Sequence, residues 1–205
     1  MKSRGLLLLG MTLLVTALVI AIISGLITPT MLQRGGDVAA SLSAPDVANG
    51  QSAREAFAQI LAWSATQNLQ FELLSLSTTL RRDAQSQSWT FQLYRPENRQ
   101  LTIVVADGTE VHVLRQLTAL YPQKPLATDA WVTDSDEVLQ MWWERSGKAT
   151  WSQPEAHTLT LHLGRDATGA PVWTLTVLDE GNHVLDVFQM HGESGAILPT
   201  PGGEP

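Results

Sequence analysis

SWTFQLYRPENRQLTIVVADGTEVHVL runs from Ser88 to Leu114, and VWTLTVLDEGNHVLDVFQMHGESGAIL runs from Val172 to Leu198. The two stretches align without a gap at a shift of 84 residues (173 − 89 = 84). That shift sets Trp89 on Trp173, Phe91 on Leu175, Leu93 on Val177, Leu101 on Leu185, Ile103 on Val187 and Gly108 on Gly192. A repeat this long that occurs twice is a duplicated small domain rather than a solenoid unit. Inside each copy, apolar residues alternate with polar ones. Trp89, Phe91 and Leu93 alternate with Thr90, Gln92 and Tyr94, the period of an antiparallel strand with one buried face. Asp107-Gly108 and Asp179-Glu180-Gly181-Asn182 are turn signals between such strands.

Upstream of each copy lies a helical segment. Ser52 with Glu55 predicts a capping box, and Phe57, Ile60, Leu61 and Ser64 share one face of a helix over residues 52–65. In the second half, Thr133 or Asp134 caps a helix to about Arg145, with Val138, Met141, Trp142 and Arg145 on one stripe, and Gly147 is placed to end it. A first strand follows each helix: Leu74, Leu76, Thr78 and Leu80 on one side in the first half, and His157, Leu159, Leu161 and Leu163 in the second. Arg165-Asp166-Ala167 repeats Arg82-Asp83-Ala84 at a shift of 83 (165 − 82 = 83). Each half is therefore a helix plus three or four antiparallel strands. A unit of about 65 residues has a marginal core, which joining the copies would enlarge.

Before the first helix, Leu6 to Ile27 carries no charge and follows Lys2 and Arg4. About 20 apolar residues at ~1.5 Å each match a ~30 Å hydrocarbon core. The run is longer than a secretory h-region, and the charge bias predicts a signal anchor with its N-terminus in the cytoplasm. The expected class is α+β: an N-terminal transmembrane helix followed by two tandem helix-plus-antiparallel-sheet units. The divisions are 1–5 cytoplasmic, 6–27 membrane anchor, 28–50 tether, 51–115 first unit, 116–132 linker, 133–198 second unit and 199–205 tail. A net charge of −7 speaks against a nucleic-acid binder, and the absence of cysteine excludes disulfides and thiolate chemistry.

The second half resembles a PepSY domain. Val172-Trp173-Thr174-Leu175-Thr176-Val177 matches that family's strand segment, and His191-Gly192-Glu193-Ser194-Gly195-Ala196-Ile197-Leu198 matches its closing turn and strand. His191 stands where the family usually has Asp. Asp107 keeps the Asp in the first half, but Val111 replaces the family Gly. The layout is also similar to that of small cell-wall elongation regulators of Gram-positive bacteria. The resemblance implies a cystatin-like helix-and-sheet unit and an extracytoplasmic binding or regulatory role, and it supplies no catalytic residues.

The remaining chemistry weighs against an enzyme. His157 and His162 share a strand on which His162 faces away from the core, His183 falls in a turn and His191 near a different sheet end, so they are not expected to converge on one ion as a metal site requires. No G-x-S-x-G elbow accompanies any serine. Asp134, Asp136 and Glu137 sit at a helix start, where they favour the dipole. The expectation is therefore no catalytic residue, no metal and no cofactor. Trp131, Trp142, Trp143, Trp151 and His191 are the candidate partner-binding residues, since Trp is enriched at interface hot spots. Trp142 and Trp143 also fit a role covering the seam between the repeats. The function expected is a membrane-anchored, extracytoplasmic, non-catalytic binding or regulatory protein, held at the membrane through Leu6–Ile27 and acting on an envelope or membrane protein. An accessory subunit of a larger membrane complex is the alternative, and a metal-binding or hydrolytic protein the minority one.

Overall fold

Both copies of the alternating stretch form strands, and all the strands join one sheet. The computed structural model describes Pro45 and residues 50–83 and 88–199. The first half gives α1 (Ala53–Thr66), β1 (Glu72–Arg81), β2 (Trp89–Arg95), β3 (Gln100–Ala106) and β4 (Val111–Thr118). The second half gives α2 (Ser135–Trp142), a π-helical turn (Trp143–Gly147), α3 (Lys148–Trp151), β5 (Thr158–Arg165), β6 (Pro171–Leu178) and β7 (Val184–His191). The strand order is β4-β3-β2-β1-β5-β6-β7, antiparallel throughout.

The two halves meet at β1 and β5, and the register there is that of a pseudo-twofold axis. Leu76 pairs with Leu163 and Leu80 with Leu159. These pairs exchange under the 83-residue shift (159 − 76 = 83; 163 − 80 = 83). Thr78 pairs with Leu161, its own counterpart (161 − 78 = 83), so the axis passes between them. An isologous contact of this kind matches a patch to itself, here between two parts of one chain.

The helices lie over this seam. Ser52 Oγ accepts from Glu55 N and Glu55 Oε2 accepts from Ser52 N, the predicted capping box. Asp134 caps α2, with Glu137 completing a second box. The start of α2 also caps α1: Ala53 N donates to Ser135 Oγ (2.9 Å) and Arg54 N to Asp134 Oδ1 (3.2 Å). One carboxylate thus serves two helix N-termini, where negative charge is favoured. Beneath them an aromatic chain crosses from half to half. Phe91 stacks on Phe57 (6.1 Å between centroids), Phe57 meets Trp131 (5.8 Å), Trp131 meets Trp173 (6.1 Å) and Trp173 meets Trp89 (6.5 Å). Trp89 Nε1 donates to Gln51 O and Trp173 Nε1 to Thr133 O, so each repeated tryptophan fastens the residue just before its own helix cap.

This overturns the expected fold class. A transmembrane helix followed by two tandem units is replaced by one seven-stranded antiparallel sheet with helices over its centre. The physical reason is that β1 and β5 are mutual edges, and pairing them buries Leu76, Leu80, Leu159, Leu161 and Leu163 in a common core. Among the described residues no helix is long and apolar enough to cross a membrane. The expected anchor at 6–27, most of the tether, the hairpin at 84–87 and the end of the tail lie outside the described residues.

Three local expectations also change. A register shift between Leu73 and Ser75 makes Leu73 rather than Leu74 the buried residue at the start of β1. Gly147 does not end the second helix; the chain passes through it with helical dihedrals (φ −59°, ψ −41°) and continues to Trp151. A Cβ there would lie 2.6 Å from the buried Trp142 ring, so the glycine serves close packing. Finally, β4 runs on to Thr118, whereas Ile197 makes only an isolated bridge to Met190. The halves are therefore least alike at their outer edges.

Candidate functional edge and cleft

Most of the tryptophans singled out as partner anchors are interior. Trp131, Trp142 and Trp151 are buried, and Trp143 is half-buried against Trp142. Trp131 Nε1 donates to Thr133 O (2.8 Å), and the Arg54 guanidinium lies over the Trp131 ring while donating to its carbonyl. Arg82 treats Trp151 in the same way. Trp142 Nε1 donates to Asp186 Oδ2 (3.0 Å), which also accepts from Ser146 Oγ (2.9 Å) and Thr150 Oγ1 (3.3 Å). Residues 142, 146 and 150 recur every four positions, so one carboxylate on β7 gathers a single stripe of the widened helix. Buried polar groups need such partners, and this network accounts for the Trp-rich segment as packing.

His191 ends β7 in a tight turn: its N–H donates to Ala196 O and its carbonyl accepts from Gly195 N. Gly195 there has φ +68°, a left-handed conformation that favours glycine. His183 is exposed and pairs with Asp179 (2.9 Å), His157 reaches Asp83 at 3.9 Å, and His162 lies mid-sheet on β5. Among the described residues no group of three or more His, Asp or Glu side chains could hold a metal ion.

Two features remain unabsorbed by the core, and they adjoin. The first is β4. Its only sheet neighbour is β3, so its other edge is free among the described residues. From His112 to Thr118 every residue is exposed, including Val113, Leu114 (61 %) and Leu117. Leu120 (80 %) and Tyr121 (70 %) extend the apolar patch. The strand carries Arg115 and His112 and no acidic residue. The opposite edge differs: Leu198 N donates to Gln189 O and Ala196 O accepts from His191 N, so the C-terminal turn covers part of β7. Edge strands invite pairing, and proteins commonly cover or charge them. Among the described residues one edge is partly covered and the other is open.

The second feature is a cleft of about 190 Å³ where the sheet runs out beyond the end of α1. Its position follows from how α1 stops. Asn68 adopts φ 51°, Asn68 N donates to Ala65 O and Leu69 N to Ser64 O, a Schellman ending that turns the chain sharply into β1. Trp63 from the last turn of α1 and Gln67 at its C-cap, with Leu69 and Phe71 after it, form one wall. Leu93 and Arg95 of β2, Gln100 and Thr102 of β3, and Val113 and Gln116 of β4 form the rest. Arg95 is the single charged residue in this lining. Its Nη1 donates to Gln100 Oε1 (3.3 Å) and its Nη2 stands 3.7 Å from Glu97 Oε2, an exposed carboxylate. Its Nε is buried and has no hydrogen-bond partner; Gln59 Oε1 is the other such side-chain atom among the described residues.

Sequence reasoning missed both features. The β4 residues read as a short closing strand and the start of a linker. Arg95, the last residue of β2, was not singled out. The one signal that could have found the edge was the continued alternation of Val111, Val113 and, past a register shift in the strand, Leu117.

No family model matches the chain, and no curated protein matches it. The PepSY resemblance therefore rests on its short motif alone and carries no further weight. A crystal structure from Clostridium difficile 630, titled a "putative lipoprotein", is similar over 73 % of this chain and 91 % of its own, at 10 % identity and a TM-score of 0.43. At that score the likeness decides neither fold nor function.

Proposed function

We propose that this chain is a non-catalytic, membrane-associated binding module working outside the cytoplasm, and that it takes hold of an extended segment of a partner protein by strand addition along β4. The observation that carries the reading is the asymmetry of the edges: β4 is long, exposed and apolar, while β7 is partly covered by its own chain. In strand addition the free N–H and C=O groups supply affinity and alternate side chains supply specificity. Arg115 favours a partner segment with acidic as well as apolar residues, whereas His112 already faces Asp107 (3.5 Å) and Glu110 (3.6 Å). The uncharged run at 6–27 behind Lys2 and Arg4 supports routing to a membrane. The lining of the cleft holds no serine, histidine or carboxylate, so it supplies no nucleophile–base pair.

The test is site-specific photocrosslinking from position 114 or 117 of the full chain in its native envelope. A discrete partner adduct is expected; Leu117→Lys with the probe at 114, or Leu114→Lys with the probe at 117, should abolish it at unchanged thermal stability, since both side chains are exposed. Adducts only between copies of this chain would replace the partner reading with an edge-to-edge homodimer. Equal adducts from position 189 on β7 would show that the β4 edge has no special role.

A further inference from the structure

The cleft at the end of α1 has a chemistry of its own, separate from the strand edge. We infer that it binds a carboxylate carried on an apolar group of about amino-acid size, with Arg95 as the anion anchor. Three observations converge. Arg95 is the only charge lining the cleft, so the site is cationic within a chain of net charge −7. Trp63, Phe71 and Leu93 give it apolar walls, and at about 190 Å³ it is smaller than the ~300–1,000 Å³ typical of drug-sized ligand pockets, which fits one side chain or one terminal residue.

The third observation is the state of the guanidinium. Nε and Nη2 form the side-on edge of an arginine, the fork that matches both oxygens of a carboxylate. In Arg95 this edge is poorly used. Nε has no partner, and Nη2 is held only loosely by Glu97 at 3.7 Å. A buried N–H left unpaired is costly, so an incoming carboxylate gains more here than at a satisfied arginine. Glu97 is the internal competitor. Its carboxylate is exposed and can swing into solvent, and the ligand's oxygens then occupy Nε and Nη2 together. Gln67, Gln100 and Gln116 complete the polar lining, with Gln100 joining Arg95 Nη1 to Gln116 Oε1. Such a ligand comes either as the C-terminal residue of a peptide or as a free carboxylic acid, and both have the same recognition chemistry.

Calorimetric titration of the full chain in detergent distinguishes these. The probes are N-acetyl-leucine, N-acetyl-leucinamide and a leucine-terminated hexapeptide with a free or an amidated C-terminus. Saturable binding of the free acids and not of the amides is expected. Arg95→Gln should weaken it by about 10- to 100-fold, as loss of a charge-assisted fork does. Arg95→Lys should recover only part, because lysine keeps the charge without the fork. Glu97→Gln lies at an exposed site and leaves the fold alone; it should tighten binding several-fold by removing the competitor. A hexapeptide binding more tightly than N-acetyl-leucine identifies a chain terminus as the ligand, and the reverse order identifies a small acid. Equal binding of acids and amides, binding unchanged in Glu97→Gln and Arg95→Gln, or no binding at about 10 mM overturns the inference. Loss of β4 crosslinks with carboxylate binding intact would fault the strand-addition reading alone.

Discussion

Asp186 shows what a single side chain does in this molecule. Its Oδ2 accepts from the indole of Trp142 and the hydroxyls of Ser146 and Thr150, and so ties β7 to the helical segment. Asp186→Ala leaves the buried Trp142 N–H unpaired and should cost about 1–3 kcal/mol; Asp186→Asn keeps an acceptor and should cost less. Urea denaturation of both variants checks the order. Asp166 is a different case, at the β5–β6 turn. The Thr168 hydroxyl and then the N–H groups of Ala170, Thr168 and Gly169 hold its carboxyl below the ordinary value. A depressed folded pKa stabilises above the unfolded carboxylate value of about 4, and the gain is lost as pH falls through the folded value. The melting-temperature difference between the parent and Asp166→Asn should therefore be largest near neutrality and shrink below pH 4. A difference independent of pH would show that the turn gains nothing from the charge.

At the scale of the element, the two copies differ most after their third strand, β3 in the first half and β7 in the second. In the first half the chain after the Asp107-Gly108 turn runs back as an eight-residue strand. The N–H groups of Glu110 and Thr109, with the Thr109 hydroxyl, fold onto Asp107 and fix that turn. In the second half the His191–Gly195 turn returns only far enough to place Ala196–Leu198 beside β7. Truncation after Gly195 removes this cover and should raise self-association through β7, an effect that sedimentation velocity would register. If truncation leaves the molecule monomeric, the turn is not what protects that edge. The helical segment diverged as well. Its π-helical turn adds a residue per turn where Trp142 packs against Gly147, and no periodicity in the sequence announces it.

For the whole molecule, the decisive contact is β1 against β5. Each half alone would expose a seam strand bearing leucines and half of the aromatic chain. The fragments 50–118 and 119–199 should therefore each be largely unfolded by far-UV circular dichroism, and the intact chain should unfold in a single transition. Leu161→Ala, on the pseudo-twofold axis, should destabilise both halves together by about 2–5 kcal/mol. Two separate transitions in the intact chain would contradict a shared core.

Local pattern was enough to read the capping box of Ser52 and Glu55, a second helix cap at Thr133 or Asp134, the alternation that buries Trp89 and Trp173, and the duplication itself. Capping and alternation act over a few residues, and the sequence carries them directly. What only the tertiary structure decided is how the copies are joined and which surface is left open. Apolar alternation states that a strand has a buried face, but its hydrogen-bonding edges are backbone and leave no mark in side-chain identity. So the sequence could not tell that β1 would pair with β5, that β4 would have no second neighbour among the described residues, or that Arg95, at the end of β2, would stand beside Trp63 and Phe71 with its Nε unfilled.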